Sequence, residues 1–364
     1  MTAPTESRAA APASRTGTGS SSLQSRLRSF PLIYVALVIV VAVGAVLLAT
    51  EGENLFSGGS IVDILTRSSL LGFIAIGQTF VILCRSLDLS VGYVAALSSI
   101  VAAVVMNGQE SRVVLGIVAA LAVSAAVGFF NGVVTTKLGV HAFITTLGAG
   151  LMIKGFLDTQ YPGPSGSVPN SFVAFGYTRI GILPLSTIIM LVIAVVGIIV
   201  LQRTRTGHSM FAVGGNIDVA RLSGIRTDRT LILAHVASSL MAGLAGLLLA
   251  ARFSTGVGAQ IYSAGYDLDS IAAVVLGGTL LLGGRGGIGG TIAAVFILGV
   301  LDSVFNELQI DPFARDVLRG VIIIAAVALY ARRQIDPNKA RTRFRELTSR
   351  GRRAAARAAQ GGRS

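Results

Sequence analysis

The chain has 364 residues, of which 52% are hydrophobic and only 13% are charged, and its mean hydropathy is +0.75. Soluble domains usually contain about a quarter charged residues, so this composition excludes a soluble protein and predicts a chain that crosses a membrane several times. The net charge of +13 is concentrated at the two ends without interleaved aromatic residues, which favours contact with anionic lipid over nucleic-acid binding.

Three regions follow from the composition. Residues 1–30 contain four arginines, one glutamate and many Ala, Ser and Thr residues, which predicts a disordered basic tail. Residues 31–331 are apolar and nearly neutral, and they form the predicted transmembrane domain. Residues 332–364 contain eleven basic and two acidic residues, which predicts a second basic tail in the cytoplasm.

The body of the chain contains a series of apolar stretches, each of which must be helical in lipid because a helix satisfies its own backbone groups. Ten are found, at residues 31–50, 61–84, 89–107, 113–135, 141–157, 184–201, 231–251, 269–284, 288–306 and 313–331. The predicted fold is therefore an all-α integral membrane protein of about ten helices. Both termini are predicted to be cytoplasmic, since both tails are basic. The short, Gly- and Thr-rich stretches 141–157 and 269–284 are the first places to look for a pathway.

Polar residues within or beside the spans need a physical reason, because charge in the bilayer is costly. Asp88 opens the third span in the sequence DLSVG and is a predicted helix cap, as are Asp267 and Asp269 at the eighth. Asp63 and Arg67 are spaced for an ion pair within one helix. Lys154 lies one turn from a helix end, where its side chain can reach water.

Two connections carry local signals. Residues 216–224 (NIDVARLSG) predict a short helix that Asn216 caps and Gly224 ends, within the Arg-rich segment 202–230. Such a helix is suited to docking into another protein or to lying on lipid headgroups, and both readings are open at this point. The glycine-dense segment 277–290 lacks the spacing of a nucleotide site and predicts a tight, re-entrant-like turn at Arg285.

The residues required for enzymatic chemistry are missing from the sequence. No lysine follows a glycine, so there is no GxxxxGK[ST] phosphate loop, and any ATP must be handled by another subunit. The single cysteine, Cys84, and three separated histidines provide no metal-ligand cluster. We therefore predict a chain that is not an enzyme and binds no cofactor or metal of its own.

Four motifs in order resemble the ribose-type permease family of bacterial ABC importers. They are Asp88–Gly92 (DLSVG), Phe143–Gly148 (FITTLG), Gly214–Asn216 with Ala220–Ile225 (GGN and ARLSGI), and Gly265–Gly278 (GYDLDSIAAVVLGG). The chain departs from the family pattern before Asp88, where Arg85-Ser86-Leu87 replaces Gly-Gly-Ile. It departs again before Phe143, where Val140-His141-Ala142 replaces a segment with proline.

The resemblance implies a type II importer-like permease in the inner membrane that pairs with a second permease copy. It also implies two ATPase subunits on the cytoplasmic side and a sugar-binding protein outside, with a monosaccharide as cargo. A permease for nucleosides or branched-chain amino acids is the alternative within this class, and a stand-alone secondary transporter is the alternative outside it.

The resemblance also assigns residues to roles. The ATPase-coupling segment comprises Gly215, Asn216, Ala220, Arg221, Leu222, Ser223 and Gly224. Predicted pathway residues are Asn131, Phe143, Thr145 and Thr146, for which helix packing is an equally good interpretation. The family motif and helix-cap residues are Asp88, Ser90, Gly92, Asp267 and Asp269.

Overall fold

A computed structural model describes residues 32–311, 313–315, 317–318, 320–321 and 324. The predicted tails, 1–30 and 332–364, and most of the predicted last span lie outside these residues. The helices before the outer hairpin are α1 (Leu32–Thr50), α2 (Gly58–Leu83), α3 (Val91–Met106), a 3₁₀ turn (Glu110–Arg112), α4 (Val113–Lys137), α5 (Ala142–Gln160) and α6 (Asn170–Tyr177). Strands β1 (Arg179–Ile180) and β2 (Leu183–Pro184) pair antiparallel. The helices that follow are α7 (Leu185–Arg203), α8 (Arg205–Gly215), α9 (Ile217–Leu222), α10 (Thr227–Phe253), α11 (Ala259–Tyr262), α12 (Tyr266–Leu276) and α13 (Ile288–Glu307).

Six helical segments of the described residues are long and apolar enough to cross a membrane. They are α1, α2, the segment Glu110–Lys137 that includes α4, α7, α10 and α13. The chain is therefore an all-α, multi-pass membrane protein, but the predicted count of about ten spans is not confirmed. The stretch 89–107 yields only the shorter α3, and 269–284 yields the 11-residue α12. Helix α5 has 19 residues, but Lys154, Asp158 and its threonines make it less apolar.

Helix α10 lies at the centre of the bundle and packs against α2, α3 and α4. The helices approach closely because glycines lie at the crossings. A Cβ atom added to Gly128 of α4 would be 2.6 Å from the carbonyl oxygen of His235. One added to Gly246 of α10 would be 2.2 Å from the carbonyl oxygen of Ala95. These glycines weaken the hydrophobic pattern of the helices in the sequence, but they allow the helices to pack closely in the core.

The bundle has two different ends. We call the end that carries α8 and α9 the inner end, and the opposite one the outer end. At the inner end, the predicted connection 202–230 contains α8 in addition to the predicted short helix. The three glycines and the polar residues of α8 gave no helical signal in the sequence. At the outer end, the predicted irregular segment 158–183 contains the end of α5, helix α6 and the β-hairpin.

Hydrogen bonds join three segments of the outer rim. Ser165 and Gly256 form an antiparallel bridge in which each amide donates to the other carbonyl, at 2.9 and 3.1 Å. The amide of Gly108, just beyond α3, donates to the carbonyl of Ser167 at 2.9 Å. Gly166 has φ +69°, and an added Cβ would lie 2.5 Å from the backbone of Ala103. The loops after α3, α5 and α10 are thus fastened together.

Two non-helical segments lie between helices of the membrane domain, and the first of them is mostly buried. Residues 84–90 separate α2 from α3, and residues 277–287 separate α12 from α13. The second segment turns where predicted: the amide of Leu280 donates to the carbonyl of Arg285 at 2.9 Å, and Gly283 and Gly284 have positive φ angles. Non-helical chain at membrane depth requires protein around it to satisfy its polar groups.

Candidate functional site: the inner-end helix and the buried junction beside it

The predicted short helix at the inner end is confirmed as α9. The Asn216 side-chain oxygen accepts hydrogen bonds from the amides of Asp218 and Val219, both at 3.0 Å. At the other end, the amide of Gly224 donates to Arg221 and the amide of Ile225 donates to Ala220, both at 3.0 Å. Gly224 has φ +79°, so this is a Schellman motif with glycine in the left-handed position. The segment encodes its own start and end.

Helix α9 presents an apolar face to the surroundings. Ala220 is buried, whereas Val219 is 58% exposed and Leu222 is 89% exposed. These two residues are three positions apart and therefore lie on one face. Val219 was not among the predicted coupling residues, although its spacing from Leu222 was a usable signal. Arg221 and Ser223 are also exposed. An exposed apolar pair beside arginines is the composition of a binding surface.

Helix α8 connects α9 to the body of the protein. The Thr204 hydroxyl caps α8 by accepting from the amide of Gly207 at 3.1 Å. Near the end of α8, Gly214 is so closely packed that an added Cβ would lie 1.8 Å from the carbonyl oxygen of Leu83. That carbonyl also accepts from the amide of Gly284 at 3.0 Å. The end of α8, the end of α2 and the turn 277–287 therefore meet at one point, and α9 extends directly from it.

The chain leaves α2 beside this point and enters a buried polar junction. Arg85, with φ +60°, is the exposed residue of the break; Ser86, Asp88 and Ser90 are buried. The Asp88 carboxylate accepts from the Ser90 amide at 3.0 Å and from the Ser90 hydroxyl at 2.6 Å. Its other oxygen is 3.8 Å from Nδ1 of His235, and both side chains are fully buried. Removing either of two buried ionisable groups leaves the other without a partner, which destabilises the fold.

Asp88 was predicted to cap the helix that became α3, but it is not the N-cap residue of that helix. Helix α3 begins at Val91, so its N-cap residue is Ser90, and Asp88 lies two residues earlier. The carboxylate binds the amide and hydroxyl of that cap residue instead of the first free amides of the helix. His235, whose Nε2 is 3.0 Å from the Ser86 hydroxyl, was missed as the partner of Asp88 because nothing in the sequence connects the two segments.

Two predicted pathway residues belong to the same junction. The Asn131 side-chain amide donates to the Ser90 hydroxyl at 2.9 Å, and the Leu89 amide donates to the Thr146 hydroxyl at 3.0 Å. Both side chains are fully buried, as is most of Thr145. Phe143, by contrast, is 43% exposed on the surface of α5. Asn131 and Thr146 thus hold the break 84–90 in place, and Phe143 is the predicted pathway residue that faces outward.

The outer motif also differs from the prediction. Helix α12 begins at Tyr266 with Gly265, at φ +74°, as its cap residue, so Asp267 and Asp269 lie inside the first turn instead of capping it. Acidic residues there still favour the positive end of the helix. A Cβ added to Gly92 would lie 3.9 Å from the amide of Asp267. The starts of α3 and α12 therefore lie side by side within the bundle.

Comparisons with known proteins identify relatives of the chain by sequence. The sequence pattern of the family described as "Branched-chain amino acid transport system / permease component" matches residues 60–327. The ribose import permease protein RbsC of Escherichia coli (strain K12) is 35% identical over 305 residues, covering 82% of this chain and 93% of that protein. The RbsC protein of Bacillus subtilis (strain 168) is 35% identical over 300 residues, covering 81% and 91%. The L-arabinose transport system permease protein AraH of E. coli (strain K12) is 34% identical over 299 residues, covering 82% and 87%. No solved structure matches the chain.

Proposed function

This chain belongs to the branched-chain amino acid transport system / permease component family, and from that premise we propose that it is the membrane subunit of an ABC importer for a monosaccharide. The observation that carries the proposal is the match of about 35% identity to ribose and arabinose permeases over nearly their whole length. The family and these relatives are transport components and not enzymes. The chain in this role passes sugar across the membrane and leaves ATP hydrolysis to other subunits.

The ATPase subunits bind at α9 in this proposal. The exposed pair Val219 and Leu222 supports it, because apolar residues at the inner end gain stability by entering a groove of a partner. ATP can shift the permease between two states only if the ATPase contacts the two states differently. The contact of Gly214 with Leu83 and Gly284 provides a direct mechanical connection from α9 to α2 and to the turn 277–287.

The complete chain in this proposal crosses the bacterial inner membrane ten times, with both termini in the cytoplasm. The six long apolar helices account for part of that number. Helices α3 and α5, the pair formed by α12 and the turn after it, and the predicted stretch 313–331 account for the rest. The Arg-rich segment around α8 and α9 is then cytoplasmic, as the excess of positive charge on that side requires.

The sugar path lies between this chain and a second permease copy, and a sugar-binding protein delivers the cargo at the outer end. Helix α5 supports this assignment, because Phe143 and several large apolar neighbours on α5 are exposed. Phe143 and Thr145 are our proposed pathway residues. Asn131 and Thr146 do not contact the sugar in this proposal. They hold α3 and α5 in position through hydrogen bonds with Ser90 and Leu89.

Branched-chain amino acids are the second candidate cargo, because the description of the family names them. The named relatives favour sugars. A stand-alone secondary transporter would need a titratable group in the membrane domain that exchanges an ion, and the Asp88–His235 pair is the place to look for it. Proton-driven uptake without any ATPase would favour that alternative.

The test is reconstitution of the purified chain in proteoliposomes with the ATPase and the binding protein encoded beside it. Uptake of radiolabelled ribose, arabinose, allose and leucine is measured with and without ATP inside. We expect ATP-dependent uptake of one of the three sugars, and none when the ATPase is omitted. Uptake of leucine alone, or uptake that continues without the ATPase, would contradict the proposal.

A further inference from the structure

We infer that Tyr93, Lys154, Asp158 and Tyr262 form a contact site for a neutral monosaccharide on the outer half of the path. The inference rests on the proposed transport function and extends it by naming residues that touch the cargo. The four residues come from α3, α5 and α11, so the fold and not the sequence brings them together. The predicted pathway residues Asn131, Phe143, Thr145 and Thr146 are not among them.

The two tyrosines form a stacked aromatic pair. Their ring centroids are 5.7 Å apart, and the ring planes are inclined by 21°. Tyr93 lies in the first turn of α3 and packs on α5 at Gly150, where an added Cβ would be 2.6 Å from the ring. Tyr262 ends the short helix α11, four residues before α12 begins. The rings are therefore held at the place where the two interrupted helices start.

The two charged residues lie on α5 beside this pair. Lys154 Nζ is 2.6 Å from the carboxylate of Asp158 and 5.3 Å from the centre of the Tyr262 ring. The Tyr262 hydroxyl donates to Asp158 as well. Each polar group therefore has a fixed direction. The cluster contains one positive and one negative charge, so it is neutral overall and has no preference for an anionic or a cationic ligand.

The position of the ion pair shows what it faces. The side chains of Lys154 and Asp158 are 42% and 43% exposed. Lys154 lies six residues before the end of α5, which is about 9 Å along the helix axis. Charged side chains at such a depth face water or protein instead of lipid. An exposed ion pair contributes little to stability, so stability alone is a weak reason for a charged pair here.

The chemistry of the cluster matches a sugar. Aromatic faces pack against the C–H faces of a pyranose or furanose ring, and a carboxylate and an ammonium group bind hydroxyls as acceptor and donor. Ligand sites typically combine apolar rings with a few fixed polar groups in this way. The starts of α3 and α12 lie directly beside the cluster, as expected for interrupted helices at a transport site. A neutral sugar suits the cluster better than a sugar acid or phosphate.

A second ion pair on the same protein is a matched control. Asp63 and Arg67 on α2 are also four residues apart, with the same 2.6 Å distance and side chains that are 36% and 49% exposed. No described aromatic ring stacks on this pair. A change in Asp63 therefore reproduces the loss of an exposed ion pair without altering the proposed sugar contact.

The experiment uses the complete importer in proteoliposomes with saturating binding protein and the sugar that wild type transports from the panel ribose, arabinose and allose. Three variants are compared: Tyr262→Leu, Asp158→Asn and Asp63→Asn. The quantities measured are sugar uptake, ATP hydrolysis, and assembly of the complex by size-exclusion chromatography. The ratio of sugar transported to ATP hydrolysed is the decisive readout, because a defect in assembly alone lowers both rates together.

We expect Tyr262→Leu to lower that ratio about tenfold, because the aromatic contact with the sugar ring is lost. Asp158→Asn lowers it about fivefold through loss of a charge-assisted hydrogen bond. Asp63→Asn leaves the ratio at the wild-type value. Equal ratios in all three variants, or a loss of dimer assembly in Tyr262→Leu, would overturn the inference. A wild-type complex that transports none of the three sugars would instead reject the proposed function.

Discussion

The segments 84–90 and 216–225 both connect helices near the inner end, but different interactions hold them in place. Segment 216–225 is fixed by its own residues, through the Asn216 cap and the hydrogen bonds that close the helix at Gly224. Segment 84–90 is fixed by His235, Asn131 and Thr146, which come from three other helices. A self-contained segment can keep its shape while it binds and moves. A segment held from outside can change shape only if its neighbours change too.

This difference gives the two segments separate tasks. Helix α9 can move as a rigid unit, since its internal hydrogen bonds do not depend on the rest of the bundle. The break 84–90 depends for its shape on contacts with residues of three other helices. Variants in the two segments should therefore differ in which property they change.

Replacing Asp88 with Ala is expected to have the largest effect. The change removes the partner of the buried His235 and a hydrogen-bond acceptor of Ser90, and such a loss costs about 3–5 kcal/mol. The thermal unfolding midpoint of the purified protein in detergent measures the effect. Asp63→Ala is the control, since the exposed Asp63–Arg67 pair contributes less than about 1 kcal/mol. Similar midpoints for the two variants would show that segment 84–90 does not depend on its buried partners.

Replacing Gly214 with Ala tests the contact between α8 and α2. The added methyl group would lie 1.8 Å from the carbonyl of Leu83, which forces the backbone apart at a cost of about 1–3 kcal/mol. We expect a lower unfolding midpoint together with reduced ATP-dependent uptake. Gly215→Ala adds the same group where no atom lies within 4 Å and should leave both unchanged. Equal unfolding midpoints and equal uptake in Gly214→Ala and Gly215→Ala would show that the close contact between α8 and α2 is absent in the functioning protein.

Replacing Leu222 with Asp tests the surface of α9 and not its folding. Leu222 is almost fully exposed, so the unfolding midpoint should stay the same. Binding of the ATPase should weaken about 30-fold, corresponding to loss of about 2 kcal/mol at a central contact. The measurement is the affinity of purified ATPase for the permease in nanodiscs. Ile180→Asp places the same charge at an exposed residue of the outer β-hairpin and should not alter that affinity. Unaltered affinity in Leu222→Asp would remove α9 from the interface.

Replacing Asn216 with Ala should produce the smallest effect. The loss of the cap costs about 1 kcal/mol and is confined to α9, because the cap bonds only the amides of Asp218 and Val219. Hydrogen exchange of those amides should become faster, while exchange in α10 stays slow. Asn216→Ser restores a capping oxygen and should recover most of the protection. Faster amide hydrogen exchange throughout the bundle would show that α9 is not an independent unit.

The sequence was sufficient where structure depends on neighbouring residues. Asn216 and Gly224 predicted both ends of α9, and the glycines of 277–290 predicted a turn. The spacing of Asp63 and Arg67 predicted their ion pair. Hydropathy predicted the multi-pass, all-helical character, since each long apolar run must be helical in lipid.

The sequence was not sufficient where structure depends on distant residues. Asp88 looked like a helix cap because its partner His235 lies on α10. The sequence also left two interpretations of Asn131 and Thr146 open, because a buried polar residue and a pathway residue have the same signature in one sequence. Hydropathy also gave α3 and α12 as full spans, although their starts meet inside the bundle and both are short. The role of α8 depends on Gly214 meeting Leu83 and Gly284, which no local pattern encodes.

The hydrogen-bonded outer rim has a consequence for how such a protein can receive cargo. Because Ser165 is bridged to Gly256 and Ser167 is bonded to Gly108, the loops after three helices form one stiff plate. Flexible loops could fold around an arriving carrier. Loops that are hydrogen-bonded to one another can only bind a carrier whose surface already fits them. A carrier that docks at that face, as we propose, would meet a preformed shape, and an opening beneath it would have to come from movement of whole helices.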